Sequence, residues 1–313
     1  MSAVSTAPAV LAAVTGDDLL QTGFSGLAVG CKYALIALGF SVVFKATGVI
    51  NFAQASLVLL GAYLTYNFTQ TWDQNFYLAL VMAMVCGAVL GVVIEALVLR
   101  RLVGESPAAV IMVTIGLLFV LDNVTTAIWG PDNRNLGDPW GIRTRELLGV
   151  TVADRDLWTI GFAAVAVAAF FVFFRYSTLG LAMRAAAFDP EAAMAQGIPA
   201  RRVYRVAWAI AGIVAALAGA TLAAGASQLS PATGAIALVA FPAIILGGLD
   251  SPLGAVVGGV IIGLVQQFTA LLAPEYFGWV GESFERVSPY LVMIVILLIR
   301  PYGLFGTKEV RRV

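Results

Sequence analysis

Histidine is absent from this 313-residue chain, so the commonest metal ligand and general base is missing. Lysine is nearly so: only Lys32, Lys45 and Lys308 occur. None closes a Gly-x-x-x-x-Gly-Lys-Ser/Thr loop, which excludes ATP binding through a P-loop. The two cysteines, Cys31 and Cys86, both sit in apolar runs and read as small packing residues, not as a disulfide framework. Net charge is zero and no basic tract is present, so nothing points to nucleic acid. The first residues lack the positive segment of a secretory signal. Charged residues make up only 12%, about half the usual share for soluble domains. A water-exposed surface of ordinary size cannot be covered with so few charges.

What is present is apolar sequence: 60% of residues are hydrophobic, with a mean hydropathy of +0.93. That composition describes a polytopic, all-α membrane protein. Nine hydrophobic segments follow one another: 24–44, 55–68, 76–99, 108–129, 157–174, 206–226, 234–247, 255–272 and 288–299. Some are shorter than the ~20 residues a full crossing needs, so about eight or nine segments are expected, with some short, re-entrant or broken. The chain reads as one transmembrane domain over 1–313, with residues 1–22 as an outer polar tail and 300–313 as an inner one.

Basic residues orient the spans. When the segments are threaded, one side receives Lys45, Arg100, Arg101, Arg175, Arg184, Arg201, Arg202, Arg205, Arg300, Lys308, Arg311 and Arg312. The other receives Arg134, Arg143, Arg145, Arg155 and Arg286, together with acids such as Asp17, Asp18, Asp132, Asp138, Asp154 and Asp156. The first side is therefore cytoplasmic, with the N-terminus outside and the C-terminus inside.

A charged island at 175–205 interrupts the greasy chain on the cytoplasmic side. It contains a short, well-punctuated helix. Asp189 suits the N-cap, Pro190 the first helical position, and Glu191 the positive end of the dipole. Ala192, Ala193, Met194 and Ala195 favour helix. Gly197 suits a left-handed cap, and Pro199 bars continuation. A rigid helix of about two turns between two spans is something a soluble partner can grip. The plainer reading is a loop on the membrane surface, with Arg184, Arg201 and Arg202 as topology anchors.

Polar groups inside the spans are few. Asn51 and Gln54 stand where one apolar segment breaks and the next begins. They act either as a cap plus an interhelical hydrogen bond, or as lining of a pathway beside irregular backbone. Lys32 is expected near the outer end of its span, snorkelling or facing the pathway. Glu95 is expected to snorkel at the inner interface. Asp122, next to Asn123, faces an outer vestibule or a partner subunit. Asp250 lies in a Gly-rich turn that reads first as a tight hairpin and second as a cytoplasmic gate or a second contact for a soluble partner. No catalytic residue and no metal or cofactor site is assigned.

The spacing Glu191-Ala192-Ala193, three residues, Gly197 resembles the loop by which permeases of ABC importers dock on their ATPase subunits. Four further blocks narrow the resemblance: GLAVGCKYALIALGF at 26–40, TGVINFAQ at 47–54, ILGGLDSPLGAVVGG at 245–259 and IRPYGLFG at 299–306. In that order they resemble the branched-chain amino acid ABC permease family, LivH type, over almost the whole chain. The resemblance implies an inner-membrane subunit that moves branched-chain or other small apolar amino acids. It also implies a second permease subunit, two ATP-binding subunits and an external substrate-binding protein as partners. Arg184, Asp189, Glu191, Ala192, Ala193 and Gly197 would then couple to the ATPase, and Lys32, Asn51, Gln54 and Asp250 would border the pathway. Two departures bear on substrate. Ala55-Ser56 follows Asn-Phe-Ala-Gln where Gly-Glu is usual, and Lys32 replaces an uncharged residue. Urea, short amides or other amino acids remain open as substrates. An ion-coupled secondary transporter is the alternative of another class, although the spans carry no acidic pair or histidine relay.

Overall fold

The structure is a computed structural model that describes residues 14–102, 105–141, 143–147, 149–188, 190–225, 228–276 and 283–306. Each expected apolar segment is helical. Among the described residues, six helices are long and apolar enough to cross a membrane. These are α1 (Gly16–Thr47), α3 (Phe76–Leu97, with its last turn to Leu102), α4 (Pro107–Trp129), α5 (Asp154–Tyr176), α8 (Ala200–Ala223) and α11 (Pro252–Tyr276). Shorter helices fill the remainder: α2 (Gln54–Tyr66), α6 (Thr178–Phe188), α7 (Pro190–Ala195), α9 (Thr233–Leu238), α10 (Ala240–Gly247) and α12 (Ser288–Ile299).

Helix α1 begins well before the apolar run at Phe24. Thr15 and Asp18 form a reciprocal capping box, which draws the polar residues from Gly16 onward into the helix. The helix ends at Gly48, whose φ of 71° is the left-handed cap that a Cβ would strain. Segment 234–247 is divided into α9 and α10 at Val239.

The long connection between α4 and α5 is not wholly irregular. Short strands β1 (Arg134–Asn135), β2 (Thr144–Leu147), β3 (Val150–Ala153) and β4 (Gln228–Leu229) form two antiparallel pairs. Thr144–Leu147 folds back on Val150–Ala153, and Arg134–Asn135 joins Gln228–Leu229 from the far side of α8.

Helices α1 and α8 are the axis of the bundle. In their apolar stretches 78% and 72% of residues are buried, against 11% in α4 and 17% in α5. Small residues make this possible. A Cβ built on Gly212 of α8 would lie 2.0 Å from the carbonyl oxygen of Gly87 on α3. One built on Gly263 of α11 would lie 2.2 Å from the backbone nitrogen of Gly30 on α1. Backbones therefore touch at both crossings. Between lipid-solvated helices, close van der Waals contact of this kind replaces a hydrophobic driving force.

Candidate functional site

The connection from α5 to α8 is built as a braced bracket. Ser177 ends α5 and starts α6: its N–H donates to the Phe173 carbonyl (3.0 Å), and its Oγ accepts from Gly180 N–H (2.8 Å). The guanidinium of Arg184 folds back from α6. It donates to the Phe174 carbonyl and lies over the Phe174 ring, 5.6 Å from the centroid. A cation on the last carbonyls of a helix also meets the negative end of its dipole. Lys45, from the end of α1, approaches the same ring at 5.9 Å. Met183 and Ala186 on α6 are buried, so the bracket is packed down and not merely tethered.

The short helix α7 follows. Gly197 takes φ 82°, Ile198 N–H donates to the Ala193 carbonyl (3.0 Å), and Gly197 N–H donates to the Met194 carbonyl (3.0 Å). Together these make a Schellman cap. Ala193 is buried and Ile198 packs against the same cluster, while Ala192, Met194 and Gln196 face outward. Pro199 is extended and caps the start of α8, where Arg201, Arg202 and Arg205 are exposed. Asp189, the expected N-cap, lies outside the described residues, as does the side chain of Glu191.

Reading the residues alone found α7 but not α6. The signal was present: Ser177 as a cap, followed by a Leu-, Ala- and Met-rich run. It was obscured because α6 continues the apolar character of α5. Glu95 was missed too, and its expected snorkelling is corrected. The side chain is 1% exposed and turned inward, with Oε2 3.1 Å from Arg100 Nη2 and 3.7 Å from Arg205 Nε. It thus joins the end of α3 to the first turns of α8. The pair Glu95…Arg100 was visible at a spacing of five; the third member, Arg205, comes from a distant part of the chain.

The four polar residues assigned to a pathway do not share one cavity. Asn51 is buried and its Oδ1 accepts from Ala53 N–H (3.1 Å), while its Nδ2 has no partner among the described residues. Gln54 is also buried. Its Nε2 donates to the Ala211 carbonyl of α8 (3.3 Å), and its Oε1 has no partner among the described residues. Gln54 thus makes the interhelical bond, whereas Asn51 closes a local turn before the helix and does not cap it, since α2 starts from Ala53 with no side-chain cap. Thr114 of α4 holds the same break, accepting from Phe52 N–H (3.4 Å) and donating to the Ile50 carbonyl (3.4 Å).

Lys32 stands half-buried on α1, with Asp156 and Arg155 of the first turn of α5 as the charged groups that act on it. Asp250 lies beside the C-terminal end of α1, whereas Lys32 sits near the middle of that helix. There Lys45 Nζ donates to its backbone carbonyl (2.9 Å), and Ser41 Oγ donates to the Leu249 carbonyl (3.1 Å). Leu304 and Phe305 N–H donate to the carbonyls of Leu246 and Gly247 (2.8 and 3.0 Å), so the turn is clamped from two sides. Lys45, Arg184, Phe174, Tyr204 and Asp250 border a recess of ≈ 590 Å³ beside the bracket.

The residues that match across the spans are thus a scaffold, and what they belong to is decided by comparison. A family described as "Branched-chain amino acid transport system / permease component" matches residues 23–299. The chain belongs to this family. The family's similarity extends to full-length relatives. The chain is similar to the high-affinity branched-chain amino acid transport system permease protein LivH of Escherichia coli K12, 30% identical over 94% of this chain and 97% of the relative. It is 28% identical to a probable branched-chain amino acid transport permease protein LivH of Methanocaldococcus jannaschii, over 89% and 90%. To the permease protein BraD of Pseudomonas aeruginosa it is 26% identical, over 94% and 98%. The family fits the architecture, in which six helices among the described residues are long and apolar enough to cross a membrane.

Proposed function

We propose that this chain is one membrane-spanning half of an ATP-driven importer for branched-chain or other small apolar amino acids. In this reading it lies in the inner membrane, with residues 1–22 outside and the loop 175–205 and tail 300–313 in the cytoplasm. Its partners are a second permease subunit, two ATP-binding subunits and an external substrate-binding protein. The chain itself performs no catalysis; ATP is hydrolysed on the partners. The names of the relatives support the substrate class, and the uneven distribution of Arg and Lys supports the orientation.

The observation that carries the reading is the mounting of α7. A helix of six residues is too short to be stable alone. Here it is closed by a Schellman cap and held between α6, which Arg184 ties to α5, and α8, which Glu95 ties to α3. Force on α7 therefore passes into three spans without being absorbed by a flexible loop. Closure of the ATP-binding subunits supplies that force, and their differential binding of nucleotide shifts the pathway between outward- and inward-facing states. Asp189, Glu191, Ala192, Ala193 and Gly197 form the gripped element, with Arg184 as its brace. Along the route, Lys32 stands at the outer mouth, Asn51 and Gln54 at the joint between α1 and α2, and Asp250 at the cytoplasmic turn.

Purification of the tagged chain from its own membranes in mild detergent tests this. ATP-binding subunits and a second permease are expected with it, and the ATP-binding subunits are lost when residues 190–197 are scrambled. Recovery of the chain alone, with uptake that follows an ion gradient and ignores ATP depletion, would identify a secondary transporter instead.

A further inference from the structure

A cavity of ≈ 100 Å³ lies between the ends of α1 and α3, the joint before α2, the start of α4 and the root of α8. In the orientation proposed above, these are the cytoplasmic ends. One water takes about 10–15 Å³ of such space, so the cavity suits a molecule of amino-acid size. Val43, Ile50, Leu99, Val110 and Trp208 give it apolar walls. Trp208 and Asn51, each 1% exposed, form its deep end. Glu105, just before α4, is exposed and stands at the mouth.

Two of the polar groups on the wall are already engaged. Thr47 Oγ1 donates to the Val43 carbonyl (2.8 Å), and Thr114 Oγ1 to those of Ile111 (2.9 Å) and Ile50 (3.4 Å). Asn51 differs. Ala53 N–H fixes its Oδ1, which sets the plane of the amide, and Nδ2 is left as a buried donor with no partner among the described residues. Such a donor is costly unless something accepts from it. The same point is the start of α2, a helix of 13 residues with no side-chain cap. The dipole and free N–H groups of an uncapped helix start favour an anion. Transporters hold a substrate carboxylate on broken helices of this kind. Glu105 is the one charged residue among the described residues that line the cavity. It favours a cation at the mouth and opposes a ligand of net negative charge, such as a nucleotide or a lipid phosphate.

We infer that this cavity is a binding site, within the single subunit, for the zwitterion of a small apolar α-amino acid entering from the cytoplasmic side. The carboxylate accepts from Asn51 Nδ2 at the start of α2, the ammonium meets Glu105, and the side chain packs against Val43, Leu99, Val110 and Trp208. The inference deepens the importer reading, on which the choice of amino acid rests.

Binding of radiolabelled L-leucine to the full chain in lipid nanodiscs, without ATP-binding subunits or binding protein, tests it. Saturable binding is expected, displaced by L-valine and L-isoleucine. Isoamylamine lacks the carboxylate and 4-methylpentanoate lacks the ammonium, so each should displace leucine poorly. Asn51→Asp keeps the acceptor for Ala53 N–H but sets a negative charge against the carboxylate, so affinity should fall at least about tenfold. Glu105→Gln should lower it about two- to fivefold, as suits an exposed ion pair; being exposed, this variant keeps the test open if Asn51→Asp does not fold. Absence of saturable leucine binding, unchanged affinity in Glu105→Gln or in folded Asn51→Asp, or displacement by isoamylamine as effective as by L-valine would overturn the inference. The two readings fail separately. If ATP-binding subunits co-purify and the chain binds no leucine, the site is wrong and the importer stands. If leucine binds and both variants weaken it, but no ATP-binding subunits co-purify, the importer fails and the site stands.

Discussion

Replacing Gly197 tests the link from local backbone geometry to transport. Its φ is 82°, and a Cβ built there meets nothing within 4 Å. Any effect of a side chain is therefore conformational and not steric. An L-residue in the left-handed region costs about 1–2 kcal/mol, and a β-branched one sits at the upper end or beyond. Against that strain stand the two cap bonds from Gly197 and Ile198, worth about 0.5–1.5 kcal/mol each in net terms. The two quantities are of equal size, so in Gly197→Val the cap opens for a large part of the time. A change of about 1.4 kcal/mol is a tenfold shift in that equilibrium. With its cap open, the six-residue α7 has no means of staying helical. The assay is reconstitution with the ATP-binding subunits in proteoliposomes, measuring ATP hydrolysis and amino-acid uptake together. Gly197→Val should lower uptake about tenfold while hydrolysis persists, so more ATP is consumed for each molecule moved. Gly197→Asn should keep most of the coupling, because Asn tolerates the left-handed region. Wild-type coupling in Gly197→Val would refute the reasoning, and so would equal loss in Gly197→Asn.

Three further outcomes are expected. Gly212→Ala places a methyl 2.0 Å from the Gly87 carbonyl, forcing α3 and α8 apart at a cost of about 1–3 kcal/mol; thermal melting in detergent should fall, whereas Gly161→Ala, with nothing within 4 Å, should leave it unchanged. Glu95→Gln removes the charge shared by Arg100 and Arg205, whose side chains are 31% and 49% exposed; water takes over part of their solvation, so a loss of about 1–2 kcal/mol is expected, measured as a lower melting point together with slower uptake. Gln54→Met removes the bond to Ala211 and an unpartnered buried oxygen at nearly constant volume, so melting should change by less than about 1 kcal/mol while uptake falls; unchanged uptake would make Gln54 a packing residue alone.

Much of the architecture was legible residue by residue. Long apolar runs must be helical in a membrane because every backbone N–H and C=O has to be satisfied within the segment. Gly197 announced its left-handed turn because few other residues occupy that region without strain. The joint at Asn51 and Gln54 was visible as polarity at the break between two apolar runs. Other features were not legible for identifiable reasons. Asp18 folding back on Thr15 extended α1 beyond its apolar part, and hydropathy carries no signal for such a cap. The strands between Arg134 and Ala153 are too short for periodicity to register.

The order of the apolar segments, the uneven distribution of Arg and Lys along them and the family are all properties of residues taken along the chain, because solvation by lipid and hydrogen bonding within a helix are local. Which helix lies at the centre is not. The burial of α1 and α8 and the openness of α4 follow from where Gly212 meets Gly87 and where Gly263 meets Gly30. Glu95 illustrates the same division. Its chemistry and its distance from Arg100 could be read in order, but its meaning depends on Arg205, more than a hundred residues away along the chain. Arg184 likewise read as a surface cation until the fold placed the Phe174 carbonyl and ring beneath it. Contacts between helices depend on the approach of backbones in three dimensions, and a one-dimensional pattern records only that a residue is small, polar or charged.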